Sequence, residues 1–306
     1  MKVLITGSNG QVGSCLVKQL QTCPDTEVLA VDRNELDITS KPDVISVVDG
    51  FKPDIIINAA AHTAVDKAEE EVALSYAINR DGPQYLAQAA HNVGAVILHI
   101  STDYVFAGDK DGFYAESDAV NPQGIYGKSK LAGEEVVATS CPRHIILRTA
   151  WVFGEDGNNF VKTMLRLAQQ RDELGIVADQ VGGPTYAGDI ASALITIAKE
   201  ITAQGRDFEH AKYGIYHFSG LPHTSWCGFA QTIFGKAVTQ SVLSKAPMVK
   251  GIKTEDYPTP AKRPANSMLD TQKITATFNI QASDWQNALN QLSNYQIIEN
   301  KQYESN

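Results

Sequence analysis

Cysteine is scarce in this sequence, and no long hydrophobic run occurs in it. The four cysteines lie far apart, at positions 15, 23, 141 and 227, without a CxxC pattern or a Cys/His cluster. This spacing argues against both a disulfide framework and a zinc site. A continuous apolar run of roughly 20 residues, the length that crosses a bilayer, is also missing. We therefore expect a cytoplasmic protein with no membrane partner and no resident metal.

Excess positive charge is missing as well. The chain has 26 Lys and Arg residues against 35 Asp and Glu residues, which gives a formal net charge of −9. A broad basic surface for the phosphate backbone of nucleic acid is not expected from this balance. A small anionic molecule is still compatible with it, so we expect a small-molecule ligand and no nucleic acid.

The sequence does contain an alternation of short apolar runs and longer segments of helical period. This order predicts βαβ units around a parallel sheet, and nearly continuous apolar runs predict strands that are covered on both faces. We expect strands at 2–6, 27–31, 54–58, 95–100 and 144–148. We expect helices at 10–21, 41–51, 72–93, 126–139 and 159–170. The predicted fold class is α/β, with a Rossmann-type doubly wound parallel sheet.

The regular alternation weakens after about residue 150. We predict a dinucleotide-binding domain at 1–150 and, at 151–306, mainly a smaller C-terminal substrate-binding lobe, with some segments returning to the Rossmann core. Further regular segments are expected at 187–201, 224–234 and 284–292. Three prolines in 257–265 exclude regular structure there, because proline removes an N–H donor and restricts φ. This segment is predicted to be an ordered loop that faces the cleft.

A glycine-rich loop follows the first predicted strand and opens the first predicted helix. Gly7, Gly10 and Gly13 have GxxGxxG spacing, which lets backbone approach a pyrophosphate at a helix N-terminus. Asp32 ends the next strand, where an acid can accept hydrogen bonds from ribose hydroxyls. The adjacent Arg33 could instead pair with a 2′-phosphate. The predicted cofactor is therefore NADH or NADPH, and the sequence leaves the choice open.

Two other segments border this expected cofactor site. Asp37 and Ile38 could flank the adenine, although Asp37 could equally be a helix cap. Small residues follow the third strand and lead to His62, for which we prefer a loop position lining the cofactor site over a catalytic role.

A candidate catalytic set combines residues from separate elements. Tyr126 and Lys130 lie four residues apart at the start of a helix, so both side chains can face one cleft. A nearby ammonium favours phenolate, so we expect Lys130 to lower the pKa of Tyr126. Thr102, at the carboxyl end of the fourth strand, can donate a hydrogen bond to a substrate carbonyl. Three separate elements are thus predicted to converge on one cleft.

Several motifs then carry a more specific resemblance. They are GSNGQVG, NAAAHTAVDKAE, STDYVFAG, YGKSKLAGE, RTAWVFG, NNFVKTMLRLA, DQVGGPT and YPTPAKRPANSMLD, and they extend to about Asp270. Together they resemble the dTDP-4-dehydrorhamnose reductase family, within the extended short-chain dehydrogenase/reductase superfamily. The resemblance implies NAD(P)H-dependent reduction of the 4-keto group of dTDP-4-dehydro-L-rhamnose to dTDP-L-rhamnose, a step of dTDP-rhamnose biosynthesis.

The resemblance also implies roles for individual residues. Tyr126 would be the acid, with Lys130 and Thr102 beside it. Cofactor contacts would come from Gly10, Gln11, Val12, Asp32, Asp37, Ile38, Ala61, His62 and Thr63, and sugar-nucleotide contacts from Thr102, Asp103 and Trp151. Trp151 could otherwise be a core residue. Arg263 is a candidate partner of the substrate diphosphate, because guanidinium binds phosphate through a bidentate fork, with an exposed structural arginine as the alternative.

Other functions stay open at this point. A dehydratase or epimerase of the same superfamily is one alternative, but dehydratases usually need a Glu after the Asp, and here Tyr104 follows Asp103. A non-catalytic regulatory subunit, like that of methionine adenosyltransferase, is another. Some family members are described as homodimers with a bridging magnesium held by acids. Because Cys15, Gly188 and Asp189 surround the matching positions here, a homodimer stays an expectation and magnesium is not carried over.

Overall fold

The protein is built around a parallel sheet, seen in a computed structural model that describes residues 1–205, 208–209 and 212–295. Its strands are β1 (Lys2–Thr6), β2 (Glu27–Val31), β3 (Ile55–Asn58), β4 (Val96–Thr102), β5 (His144–Thr149) and β10 (Gly214–His217). The spatial order is β2-β1-β3-β4-β5-β10, with parallel pairing throughout. The order reverses beside β1, and ligands bind at such a switch point at the carboxyl ends of the strands.

Helices cover both faces of this sheet, as the apolar strands predicted. On one face α1 (Gln11–Leu20) and α8 (Ala187–Gln204) pack with Val3 and Ile5 of β1 in one apolar cluster. The other face is covered by three helices, α2 (Lys41–Phe51), α5 (Gly82–Val93) and α6 (Ile125–Ser140). Both faces of the sheet are therefore covered by apolar side chains, and its polar side chains lie at the strand ends or among a few buried groups.

The helix expected at 72–93 is interrupted, so that prediction was wrong in its continuity. The chain forms α3 (Val65–Ala68), α4 (Val72–Tyr76) and then a π-helical turn at Ala77–Asp81 before α5. Pro83 explains the break, because a proline ring clashes with the carbonyl four residues earlier. That carbonyl, of Asn79, turns towards α6, where a Cβ on Gly133 would lie 2.1 Å from its oxygen. The interruption thus lets the segment before α5 pack closely against α6.

The C-terminal part adds small sheets around a second apolar core. Its strands are β6 (Val152–Phe153), β7 (Glu173–Val177), β8 (Val181–Gly182), β9 (Thr185–Tyr186), β11 (Thr224–Ser225), β12 (Met248–Ile252) and β13 (Asn266–Ser267). Its helices are α7 (Phe160–Ala168), α9 (Trp226–Thr239), α10 (Gln272–Phe278) and α11 (Trp285–Ala288). Phe229, Ile233 and Trp285 lie in this core, while α8 and β10 pack with the large sheet. The division near residue 150 stays a prediction.

Element boundaries elsewhere follow the sequence with local corrections. The five predicted strands and the helix at 41–51 are confirmed. The segment expected at 224–234 begins as β11, and α9 starts at Trp226 because the Ser225 hydroxyl accepts the N–H of Gly228 as an N-cap. After α11 the chain tightens into a 3₁₀ turn at Leu289–Asn294. The segment 257–265 has no helix or strand, as its prolines predicted.

Within the described ranges, no helix combines the length and apolarity needed to cross a bilayer.

Candidate active site

The loop after β1 has the shape that a dinucleotide pyrophosphate requires. Gly7 has a φ of +71°, and a Cβ on Gly13 would lie 2.0 Å from the Gly7 carbonyl oxygen, so neither position accepts a side chain. Gly10 is the N-cap of α1, and no described side chain caps the helix there. Gln11 and Val12 form its first turn. N–H groups at a helix N-terminus attract phosphate, so this loop fits the cofactor residues expected from the sequence.

Asp32 lies just beyond β2 at the same sheet edge. Its Oδ2 accepts a hydrogen bond from the Asn9 side-chain amide at 2.5 Å, and its Oδ1 accepts the Asn34 N–H at 2.7 Å. The neighbouring Arg33 is exposed. A carboxylate suited to ribose hydroxyls and a guanidinium suited to a 2′-phosphate are thus adjacent, and the geometry accommodates either cofactor.

Asp37 and Ile38 differ in environment. Asp37 Oδ1 accepts hydrogen bonds from the hydroxyl and the N–H of Thr39, which lower the pKa of this carboxyl. The alternative that Asp37 caps a helix is wrong, because α2 has Ser40 as its N-cap. Ile38 is buried in an apolar cluster with Val31. A contact of either residue with adenine stays a prediction.

His62 is held by a network behind the third strand. Its ring Nδ1 lies 2.9 Å from Ser75 Oγ, and its ring Nε2 lies 3.1 Å from Glu71 Oε2. The backbone N–H of His62 donates to Asn79 Oδ1 at 2.8 Å. Because both ring nitrogens are engaged, His62 fixes the loop that also carries its neighbours Ala61 and Thr63. This arrangement supports the loop role that we preferred for it.

Helix α6 carries Tyr126 and Lys130 and is oriented by side chains from outside it. Glu69 Oε1 accepts the N–H of Ile125 at 2.8 Å, which caps the helix from the segment after β3. Asn79 donates to the hydroxyl of Ser129, the residue directly before Lys130, at 3.0 Å. The connection between β3 and α5 therefore determines where the N-terminal turn of α6 points.

The Tyr126 phenol differs from our expectation. Burial raises the pKa of Tyr126 above its usual range, a hydrogen bond with Thr102 opposes this, and the charge of Asp103 adds to the increase. The ring also contacts Tyr104 edge to face, with centroids 5.3 Å apart. The prediction that Lys130 lowers this pKa was wrong, because desolvation outweighs any distant charge. The phenol stays protonated, which is the state that a proton donor needs.

Lys130 is 2% exposed and lies beneath the sheet edge. Its Nζ donates to the carbonyl oxygen of Ile100 at 2.7 Å and lies 3.4 Å from His99 Nε2. Burial lowers the pKa of Lys130 to about 8, and the charge of Glu134 acts in the opposite direction. The lysine therefore changes charge within the range where enzymes work.

Thr102 and Asp103 end β4 next to the phenol. The Thr102 hydroxyl donates to Asp103 Oδ1 at 3.0 Å and accepts the N–H of Tyr104 at 3.2 Å. Both residues are buried, and burial raises the pKa of Asp103 to about 6. A hydroxyl, a phenol and an amine are thus brought to one edge of the sheet from β4 and α6.

A cleft of about 420 Å³ opens from Tyr104 into the C-terminal part. Trp151 lies on one wall with a left-handed φ of +48°, an unfavourable conformation for a bulky residue that such sites often contain. Its ring stacks on Trp226 with centroids 3.6 Å apart and an interplanar angle of 9°. The tryptophans form a flat aromatic wall, so the alternative of a purely buried core Trp151 does not describe this residue.

Arg263 also lines the cleft, in the irregular loop that the prolines predicted. Its guanidinium donates to Asp66 at 2.5 Å and to the Tyr104 hydroxyl at 3.2 Å. The N–H of Ala261 also donates to Asp66, at 3.2 Å. The loop is therefore attached to the segment after β3, so one ion pair joins the two parts of the molecule across the cleft.

Comparisons with known proteins agree with this geometry. The family model described as RmlD substrate binding domain matches residues 1–297. A dTDP-4-dehydrorhamnose reductase of Aggregatibacter actinomycetemcomitans is 57% identical over 294 residues, which cover 96% of this chain and 99% of that one. The chain belongs to this family.

Solved structures carry the same relationship. A dTDP-4-dehydrorhamnose reductase from Clostridium acetobutylicum is 43% identical with a TM-score of 0.87, covering 95% of this chain and 97% of that one. One from Bacillus anthracis, in complex with NADP, is 38% identical with a TM-score of 0.86, covering 94% and 96%. The Rossmann-type fold expected from the sequence is confirmed.

Several residues of this site were missed in the sequence. Trp226 stacks on Trp151, Asp66 pairs with Arg263, and Glu69 caps α6. Each of these residues lies far along the chain from its partner. His99 lies within the strand that ends in Thr102, and a histidine inside an apolar run was a signal that could have been followed. Asn58, at the end of the third strand, was not predicted to have a role at this site.

Across the part of the chain that the structure describes, no group of three or more His, Cys, Asp or Glu side chains is arranged to hold a metal ion.

Proposed function

We propose that this protein reduces the 4-keto group of dTDP-4-dehydro-L-rhamnose with a nicotinamide cofactor and releases dTDP-L-rhamnose. Membership of the family and 57% identity to a relative of that name support the substrate. The observation that carries the proposal is the buried Tyr126 phenol, hydrogen-bonded to Thr102 at the end of β4, with Lys130 one turn further along α6 against the Ile100 carbonyl.

The cofactor would be bound by the residues at the carboxyl edge of the sheet. The predicted contacts are Gly7, Gly10, Gln11, Val12, Gly13, Asp32, Asp37, Ile38, Ala61, His62, Thr63, Tyr126 and Lys130. A Cβ on Gly13 would occupy the turn itself, which supports a close backbone approach to a pyrophosphate. When bound, the nicotinamide supplies the hydride, and the protein supplies position and electrostatics.

The chain's own groups would then handle the developing charge on oxygen. Thr102 turns its single hydroxyl proton from Asp103 to the C4 carbonyl, and Tyr126 delivers its phenolic proton as the carbonyl carbon accepts hydride. The phenolate that remains is stabilised by the Lys130 ammonium and regains a proton from solvent. A buried, protonated phenol suits this reductive direction.

The sugar nucleotide would lie across the cleft. Trp151 and Trp226 offer a flat surface for the base, and Asp103 can accept a sugar hydroxyl. Arg263 would exchange the single carboxylate oxygen of Asp66 for the substrate diphosphate, because a phosphate offers a bidentate acceptor with more charge. These contacts keep the roles that the sequence predicts for Trp151, Asp103 and Arg263 and add Trp226 to them.

Other reactions fit the site less well. Elimination of water needs a second carboxylate after Asp103, and Tyr104 occupies that position. A regulatory subunit would bind nucleotide without turnover and would have no chemical need for the complete hydroxyl, phenol and amine set. Both alternatives make distinct predictions in one assay.

The test uses the purified chain with NADPH or NADH and enzymatically generated dTDP-4-dehydro-L-rhamnose, followed at the nicotinamide absorbance. We expect cofactor oxidation in proportion to dTDP-L-rhamnose formed, and none with dTDP-glucose as the control. Cofactor binding without oxidation would favour the regulatory subunit, whereas product formed with cofactor recycled at each turnover would favour an epimerase. Comparing the two cofactors decides between the roles of Asp32 and Arg33.

Two accessory properties can be measured on the same sample. We propose a homodimer, which light scattering in solution tests. Magnesium is tested by adding a chelator during the assay, and unchanged turnover would exclude a required ion.

A further inference from the structure

A chain of buried polar groups runs under the sheet edge from β1 to Lys130. The Thr6 hydroxyl lies 2.7 Å from Asn58 Oδ1, and Asn58 Nδ2 lies 3.0 Å from His99 Nδ1. His99 Nε2 then lies 3.4 Å from Lys130 Nζ. These four side chains are at most 4% exposed, so their hydrogen-bonding pattern is decided without solvent. The roles proposed above use only the last of them.

The orientation of the Asn58 amide is determined by its neighbours. Its Oδ1 is 3.2 Å from the N–H of Ala60, a backbone group that can only donate. Turning the amide over would place two donors against each other there. The oxygen therefore faces Ala60 and Thr6, and the NH₂ group faces His99.

This orientation selects one tautomer of His99. Because Asn58 donates to Nδ1, that nitrogen must present its lone pair, and the single proton of the neutral ring lies on Nε2. The ring is neutral because burial, with the charge of Lys130 as the second cause, lowers the pKa of His99 well below its usual value. The Nε2–H group is consequently directed at Lys130.

An Nε2–H group distinguishes the two states of this lysine. An ammonium has only donors, so it meets the imidazole N–H unfavourably, whereas a neutral amine accepts from it. We propose that Asn58 and His99 are positioning residues, which hold an N–H against Lys130 and favour its neutral amine.

Other charged groups near Lys130 act on it as well. On α6, Glu134 favours the ammonium, but its carboxylate is shared with Arg148 of β5 at 2.6 Å. Tyr126 lies one turn earlier on α6 and is uncharged. From β4, His99 faces the amine directly and Ile100 offers a carbonyl. The His99 imidazole is thus the neighbour that can either donate to Lys130 or accept from it, depending on which ring nitrogen carries the proton.

The consequence for turnover rests on the proposed function. If the Lys130 ammonium stabilises the phenolate, kcat should fall as the pH rises through the pKa of Lys130, which burial places at about 8. A substitution that moved the His99 proton to Nδ1 would leave Nε2 as an acceptor facing Lys130, and this would raise the pKa of Lys130. The alkaline limb of the kcat profile would then move to higher pH.

The tautomer can be measured directly, without an activity assay. Long-range ¹H–¹⁵N NMR of the ¹⁵N-histidine-labelled protein resolves the two ring nitrogens of each of its seven histidines. We expect His99 as the Nε2–H tautomer, with signals that move as the pH passes about 8. His217 is the internal reference, because its Nδ1 lies 3.1 Å from the Tyr114 carbonyl and must carry the proton. Finding His99 as Nδ1–H would overturn the proposal.

Asn58→Asp tests the effect on Lys130. A carboxylate keeps the contacts with Thr6 and Ala60 but can only accept from His99, so the imidazole should change to Nδ1–H and present its lone pair to the ammonium. We expect the alkaline limb of kcat to move up by about one pH unit. The signals of His217 should not change.

Asn79→Asp is the matched control for added negative charge. Asn79 is also fully buried beside α6, but its amide bonds to His62 and Ser129. We expect this variant to leave the His99 tautomer unchanged and to move the alkaline limb less than half as far. If the alkaline limb of kcat moved equally in both variants while the His99 tautomer stayed unchanged, the proposal would be overturned.

The failure of this inference is distinguishable from the failure of the proposed function. The wild-type NMR spectrum gives the tautomer whether or not the protein reduces the sugar nucleotide, and whether or not Asn58→Asp folds. Absence of turnover with the expected tautomer would contradict only the enzymatic assignment.

Discussion

The two sides of the candidate site are built in different ways. On the sheet side, Lys130 is buried behind a parallel sheet, and nearby Arg148 and Glu134 form an ion pair with side chains 2% and 3% exposed. On the cleft side, the Arg263 and Asp66 side chains of the joining ion pair are 24% and 41% exposed. The groups assigned to chemistry are thus held by buried contacts, and those assigned to recognition can exchange partners with a ligand.

This difference follows from the strands that build each side. The large sheet has strands of four to seven residues with cross-strand register, so its ends are fixed relative to one another. The cleft side combines one two-stranded sheet, β7 with β12, with two-residue strands and a proline-rich loop. Changes on the sheet side should therefore affect kcat or stability, and changes in the cleft should affect KM.

The largest expected effect is on the sheet side. Tyr126→Phe removes the proposed proton donor while keeping the ring, so we expect kcat to fall by about 10²- to 10⁴-fold with unchanged cofactor affinity. Steady-state kinetics and cofactor titration measure the two quantities. Tyr85→Phe, on α5, is the control and should keep wild-type turnover. A wild-type kcat for Tyr126→Phe would remove the acid from the mechanism.

The second effect compares the two ion pairs by stability. Glu134→Gln leaves the Arg148 charge buried without its partner, and we expect the free energy of unfolding to fall by about 3–5 kcal/mol. Asp66→Asn breaks the more exposed pair and should cost no more than about 1 kcal/mol. Urea unfolding of both variants checks the contrast, and equal losses would mean that burial does not separate the two sides.

The third effect concerns the aromatic wall. Trp226→Ala removes the surface on which Trp151 stacks, so we expect KM for the sugar nucleotide to rise by about ten- to hundredfold, with little change in kcat. Trp226→Phe keeps an aromatic face and should lose less. A fall in kcat at unchanged KM would place the stack in the chemical step instead.

The smallest effect is expected at the joining arginine. Arg263→Lys keeps the charge but loses the planar fork, and we expect KM to rise by about three- to tenfold. Kinetics at saturating cofactor, over a range of sugar-nucleotide concentrations, measure the change. If Arg263→Lys behaves as wild type in KM, the diphosphate is bound elsewhere.

Local patterns were sufficient for much of the fold. The apolar runs located five of the six strands of the large sheet but not β10, and the proline-rich segment was correctly expected to be irregular. The break at Ala77–Asp81 was not foreseen, because the periodicity of 72–93 continues through it and only Pro83 marks the interruption. Similarly, the Ser225 cap places the start of α9 two residues after the start of the segment expected at 224–234.

By itself the sequence determined the glycine turn and the order of Thr102, Tyr126 and Lys130, because turn geometry and one-turn helical spacing are properties of neighbouring residues. Tertiary structure decided which distant groups meet, such as Asn58 with His99, 41 residues apart, and Asp66 with Arg263, 197 apart. It also decided the protonation of Tyr126, since desolvation depends on everything packed around a group and not on the residue four positions away.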